Sequence, residues 1–124
     1  MKFVRYESIS PIRFFDLRIE RSARDQVVAQ MWGYGEAFGF RMLVKNYRAK
    51  PDDMFFQMWR PDVDLLASND SDTGARDIKI GIGFYPKRGQ RPPSPENVTP
   101  LVEGLRQFLD KVPGAAITEV TAQR

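Results

Sequence analysis

Apolar and polar residues alternate in several segments of the chain, and this period of two predicts β-strands. The segment DIKIGIGFY (77–85) shows the pattern most clearly, because isoleucine or phenylalanine fills every second position from Ile78 to Phe84. IRFFDLRIE (12–20) alternates in the same way. Shorter apolar runs bounded by turn residues predict further strands at 40–48, 54–60, 63–68 and, more weakly, 115–122, with a turn at KPDD (50–53).

Between the predicted strands at 12–20 and 40–48, apolar residues follow the helical period instead. Ser22 is a candidate N-cap for this helix, and Gly39 is a candidate end. The apolar stripe as read from the sequence includes Trp32. Gly33 and Gly35 lie inside the helix, where each costs about 1 kcal/mol relative to alanine. We therefore expect this helix to pack closely against a neighbouring element.

A second helix is predicted to begin with Thr99 as its N-cap and Pro100 at its first position, and to end at Pro113-Gly114. The order is then strand, helix, a meander of strands, helix, strand. Strands joined by short turns pair antiparallel, and two amphipathic helices can cover one face of the resulting sheet. The prediction is a single α+β domain over residues 1–124. It would be a two-layer sandwich with a mainly antiparallel sheet of four to six strands and two helices on one face, with a ferredoxin-like variant as one arrangement.

Composition excludes several kinds of chemistry. The chain has no cysteine and no histidine, which removes thiolate and imidazole metal ligands, cysteine nucleophiles and serine triads. We expect a protein that is not an enzyme, holds no cofactor and works in the cytoplasm. No apolar run approaches the roughly 20 residues of a membrane span, so no membrane association is expected. The net charge is +3, yet residues 51–85 alone carry three basic and seven acidic side chains.

The acidic stretch SNDSDTGARD (68–77) resembles a calcium loop in composition only. When Gly74 is aligned to the glycine of an EF-hand loop, the final ligand position falls on Ile80, within a predicted strand. Asparagine, aspartate, serine and glycine are also the residues that turns favour. The stretch is therefore interpreted as a turn, and no metal site is predicted.

Two neighbouring features could contact a ligand. Gly81 and Gly83 form a G-x-G without the third glycine or the helix of a dinucleotide loop, so they mark a bare patch of sheet that a helix or a ligand could approach. The loop at 86–93 carries Lys87, Arg88 and Arg91, which could contact phosphate. The acidic segment immediately before this loop makes nucleic-acid binding the less favoured interpretation.

The strand at 54–60 is apolar on both faces, although a strand in a two-layer domain has only one face covered by helices. Its second face is therefore a candidate interface with another protein or an identical subunit. Tryptophan, tyrosine and arginine dominate interface hot spots. The predicted protein-binding residues are Phe55, Trp59, Arg60, Asp62, Asp64 and Tyr85.

Three functions follow from these features. The first is a non-enzymatic protein-binding module of an adaptor or toxin-neutralising type. The second is a binder of a small or apolar ligand between helices and sheet, near Gly81 and Gly83. The third is a nucleic-acid binder through the loop at 86–93.

Overall fold

The fold is described by a computed structural model, which covers residues 10–47, 50–69 and 76–121; for 44–47 and 50–54 only the backbone is described. The described residues form six strands and two α-helices. In chain order these are β1 (Arg13–Glu20), α1 (Arg24–Phe38), β2 (Arg41–Tyr47), β3 (Lys50–Trp59), β4 (Val63–Asn69), β5 (Asp77–Pro86), α2 (Thr99–Leu109) and β6 (Ala116–Val120).

All six strands belong to one antiparallel sheet in the order β2-β3-β4-β5-β1-β6. The meander from β2 to β5 places consecutive strands side by side. The first strand of the chain lies inside the sheet, because β5 and β6 pair with its two sides. The prediction of an α+β two-layer fold with an antiparallel sheet and two helices is confirmed. The ferredoxin-like comparison remains an interpretation of this strand order.

The main core lies between the sheet and the two helices. It contains alternate residues of β1 and β5, including Phe15 and Ile82, which are fully buried. Tyr34 of α1 is also fully buried, and its hydroxyl donates a 2.8 Å hydrogen bond to the carbonyl of Leu101 in α2. Burial raises the pKa of Tyr34 well above its ordinary range, so this hydroxyl stays protonated and joins the two helices.

Glycines let the helices approach their neighbours closely. A Cβ added at Gly33 would lie 3.0 Å from the ring of Phe108, and one at Gly35 would lie 3.1 Å from the Met58 side chain. The close packing expected from these two glycines is therefore present. The expected end of α1 is also present, since Gly39 has a φ of 77° and its N–H bonds to a carbonyl one turn earlier.

The ends of several elements differ from the prediction. Ser22 is not a cap, because a short 3₁₀ turn at Arg21–Ala23 precedes α1. Thr99 is likewise the first residue of α2 rather than its cap. Ser94 fulfils the capping role for a 3₁₀ turn that leads into α2, since its hydroxyl accepts a 3.3 Å hydrogen bond from the Asn97 N–H.

Two further predictions are wrong, and a third falls mostly outside the described residues. KPDD (50–53) is not a turn, because β3 begins at Lys50 and these residues are its first part. α2 ends at Leu109, before the predicted Pro113-Gly114 stop. The turn predicted within 68–77 falls mostly on residues 70–75, outside the described part of the chain, although β4 and β5 on its two sides are antiparallel neighbours.

Candidate protein-binding surface

The sheet has a second face that neither helix covers in the part of the chain described. Paired residues on neighbouring strands share a face, and the pairing places a row of apolar residues on the side away from the core. Leu66 shows that this side is separate, because it is buried yet lies outside the main core cluster. We call this surface the open face and define it by Phe14, Leu43, Phe55, Trp59, Leu66, Tyr85 and Val120.

Gly81 and Gly83 lie on the open face, where aromatic rings of the same chain cover them. A Cβ at Gly81 would lie 2.8 Å from the Phe14 ring, and one at Gly83 would lie 2.6 Å from the Tyr85 ring. The glycines thus let two rings lie flat against the sheet. They do not border the space between helices and sheet, so a ligand site in that space cannot use them as the sequence suggested.

Trp59 and Asp64 are opposite each other on β3 and β4, and Asp64 is in turn opposite Tyr85 on β5. Asp64 was expected at the rim of an interface, but it is buried. The Lys87 ammonium lies 2.7 Å from its carboxylate and compensates its charge. This pairing also occupies Lys87, which the sequence suggested as a phosphate contact. Trp59 and Tyr85, on either side of this ion pair, are each partly exposed.

Arg60 has a structural role that the sequence did not reveal. One guanidinium nitrogen donates a 2.7 Å hydrogen bond to the carbonyl of Phe38 at the end of α1, and another donates to Asp62 at 2.8 Å. The guanidinium also lies over the ring of Phe40. A positive group at this end of the helix is favourable for the helix dipole. Arg60 therefore links the end of α1 to the residues that follow β3, and Asp62 pairs with it. Their part in protein binding stays a prediction.

Of the basic loop at 86–93, Arg88 and Arg91 are exposed. The loop turns at Gly89, where φ is 79°. With Lys87 held by Asp64, two arginines of the predicted phosphate-contacting set remain at the surface. That is a smaller basic area than nucleic-acid binding proteins normally present.

A cleft of about 460 Å³ lies beside β2, at the edge of the sheet, and sequence reasoning missed it. Trp32 and Leu43, with 49% and 42% of their surface exposed, are the large apolar side chains that the described residues leave most open to solvent, and both line this cleft. The spacing of Val27, Met31 and Tyr34 could have predicted that Trp32 is exposed. These three buried residues define the core side of α1, and Trp32 is about 100° away from Met31 around the helix axis.

A second cavity, of about 470 Å³, lies around Arg13 and Glu119, near the opposite edge of the sheet, which β1 and β6 form. The two side chains form a bidentate pair, with nitrogen–oxygen distances of 2.8 and 2.7 Å, and Arg13 also donates to the Thr99 hydroxyl at 3.1 Å. Hydrogen bonding from Arg13 holds the pKa of Glu119 below its ordinary value, against the opposing effect of burial. The pair neutralises its own charges and stabilises the contact of β1 with β6.

The described residues contain no group of three or more acidic side chains that could hold a metal ion. In the same part of the chain, neither helix combines the length and apolar character required to cross a membrane. No protein-family model matches the sequence, and no curated protein is significantly similar to it.

Proposed function

We propose that this chain is a non-enzymatic, cytoplasmic protein-binding domain whose open face contacts the partner. The observation that supports this proposal is the row that crosses the sheet on that face. It runs from Leu43 through Gln57, Leu66 and Gly83 to Phe14, and one residue in it is polar. A solvated sheet face normally carries polar side chains at these positions. Within this row Leu43 is exposed and Phe14 is partly exposed, and apolar surface of this kind favours burial against another molecule.

The neighbouring row supports the same proposal. Trp59 and Tyr85 are partly exposed, and Asp64 between them is already neutralised by Lys87. A partner that covers this row would bury two aromatic side chains without leaving the carboxylate unpaired. Fully desolvated tryptophan and tyrosine contribute strongly to binding, whereas an unpaired buried charge would oppose it.

The dimensions of the sheet limit what the open face can do alone. Six strands separated by about 4.8 Å span about 24 Å, and the stretch of β3 that carries the open face, from Phe55 to Trp59, spans about 17 Å. The flat area is therefore about 400 Å², whereas a stable interface buries about 800 Å² on each partner. The partner must reach beyond the sheet, over its edge or over the loop that carries Arg88 and Arg91.

The proposal can be tested with a photoreactive side chain placed at Phe55 of the open face. Gln107, exposed on α2, provides the matched control position on the helical side. Irradiation in cell lysate should yield a defined adduct from the Phe55 position and none from the Gln107 position, as measured by mass spectrometry. Equal yields from both positions, or no adduct from Phe55, would contradict the proposal. An adduct with a second copy of the chain would identify an identical subunit as the partner.

The variant Trp59→Ala provides an independent test. Because Trp59 is partly exposed, we expect a loss of about 1–2 kcal/mol in unfolding free energy, less than the 3–5 kcal/mol typical of a buried tryptophan. Binding to the cross-linked partner should fall strongly. If stability falls by several kcal/mol while binding remains normal, Trp59 belongs to the core and not to the interface.

A further inference from the structure

The strand β2 lies at one edge of the sheet that the described residues form. It pairs with β3 on one side, and in the part of the chain described no segment pairs with its other side. Along an antiparallel edge, alternate residues direct their N–H and C=O groups outward. Such an edge can accept one more strand, and the occupant must then supply an extended backbone. The nature of the edge therefore limits what can bind there.

The cleft beside β2 has the form that an added strand requires. Residues on both sides of the sheet line it, with Trp32 on the helical side and Leu43 and Trp59 on the open face. Side chains of an added strand would point alternately to these two sides. One side chain could then pack on Trp32 while the next packs beside Leu43. This cleft is continuous with the open face, because Leu43 and Trp59 belong to both.

Charge indicates which segment fits. β2 contains Arg41 and Lys45 and no acidic residue. In an antiparallel pair of two β2 strands centred on Leu43, Arg41 of each copy would be opposite Lys45 of the other, and like charges across strands are destabilising. Arg41 is exposed and lines the cleft on the side of the open face, whereas Glu36 lines it on the helical side. A partner with an acidic residue toward Arg41 is therefore favoured over a second copy.

We infer that β2 binds an extended segment of a partner protein as a seventh strand. The segment directs a large apolar side chain toward Trp32 and an acidic side chain toward Arg41. This inference rests on the proposed protein-binding function and adds the form in which part of the partner is recognised. The main-chain hydrogen bonds fix the position of the segment, and the two side-chain contacts select its sequence.

The probe is a phage-displayed library of random 12-residue peptides, selected on the intact protein. The inference expects enriched peptides that alternate apolar and polar residues and include an acidic one. Their affinity should fall at least 10-fold in Trp32→Gln and in Leu43→Thr, two changes suited to a helix and a strand respectively. Gln107→Ala, on the exposed surface of α2, should change it less than 2-fold. Circular dichroism and thermal unfolding must show that each variant remains folded.

Amide hydrogen exchange locates the bound peptide independently. Outward-facing amides of Arg41–Leu43 should exchange more slowly when the peptide is bound, because an added strand protects them. The inference is overturned if no peptide is enriched, if Trp32→Gln and Leu43→Thr bind as well as the original chain, or if these amides gain no protection. If the protein forms a dimer that Leu43→Thr abolishes, a second copy of the chain binds at β2 and the inference is wrong. If peptides bind at β2 while the Phe55 position yields no cross-link, the proposed binding through the open face is refuted and the inference about β2 stands.

Discussion

The contact of Gly104 in α2 with Phe38 in α1 gives a sharp test of the fold, because the open face exists only if both helices pack together on the other side. A Cβ added at Gly104 would overlap atoms Cζ and Cε2 of the Phe38 ring and lie 3.0 Å from Cε1. The Phe38 ring is partly buried and lies beside the ring of Tyr34, with centroids 5.0 Å apart, so displacing it disrupts this contact. The variant Gly104→Ala must therefore displace the ring or separate the helices.

Two opposing effects determine the change in stability. Alanine in a helix interior is favoured over glycine by about 1 kcal/mol. Inserting a methyl group into an occupied space costs about 1–3 kcal/mol, and loss of the ring contact with Tyr34 costs about 0.5–1.5 kcal/mol. We expect a net loss of about 1–2 kcal/mol in the unfolding free energy of Gly104→Ala, since the overlap involves several ring atoms. For a chain of this size that corresponds to a fall in Tm of about 3–8 °C.

A double-mutant cycle with Phe38→Leu separates the two effects, because leucine lacks the ring atoms that overlap the new methyl group. In the Phe38→Leu background, Gly104→Ala should be neutral or stabilising by up to about 1 kcal/mol. The coupling between the two positions, measured by urea denaturation, should therefore be at least about 1 kcal/mol. If Gly104→Ala stabilises the original chain, or if the coupling is close to zero, the helices do not pack as described.

Two further predictions concern polar contacts. Glu119→Gln removes the charge paired with Arg13 and should cost about 0.5–1 kcal/mol at pH 7. Because the folded-state pKa of Glu119 is lowered, this stabilisation is present above the ordinary pKa of 4.5 and is lost as the pH falls through the lower folded value. If urea titrations at pH 2 still show a difference in stability between the original chain and Glu119→Gln, the stabilisation does not come from the charge of Glu119. Arg60→Met removes the donor to the Phe38 carbonyl and should lower stability by about 1–2 kcal/mol. The control Arg88→Met, in the exposed loop, should change stability by less than about 0.5 kcal/mol.

The sequence predicted the elements well because their signals are local. Alternation in β1 and β5 and the helical spacing in α1 each depend on residues a few positions apart, so burial of one face is enough to impose them. The turn predicted at residues 50–53 failed for a different reason. Proline and aspartate favour turns locally, but pairing with β2 extends β3 back to Lys50. Tertiary pairing there prevails over the local preference.

The candidate site was less accessible to sequence reasoning, because its contacts join distant parts of the chain. Arg60 binds the carbonyl of Phe38, and Lys87 binds Asp64, across 22 and 23 positions respectively. Neither partner could be identified before the order of strands and the end of α1 were known. The period of two did place Phe55 and Trp59 on the face away from the core, and that inference needed only the alternation within one strand.

These pairings change the physical basis of the proposed binding. Charged residues that looked like contacts for a partner are largely compensated inside the domain, since Lys87 neutralises Asp64 and Arg60 contacts both Asp62 and the end of α1. Binding at the open face must therefore draw its free energy from burial of aromatic and aliphatic surface, which salt screens little. The flat sheet supplies only part of the area that a stable interface requires, whereas the edge at β2 offers backbone hydrogen bonds and a cleft beside it. A partner that combines an apolar surface with an extended segment would satisfy both features at once.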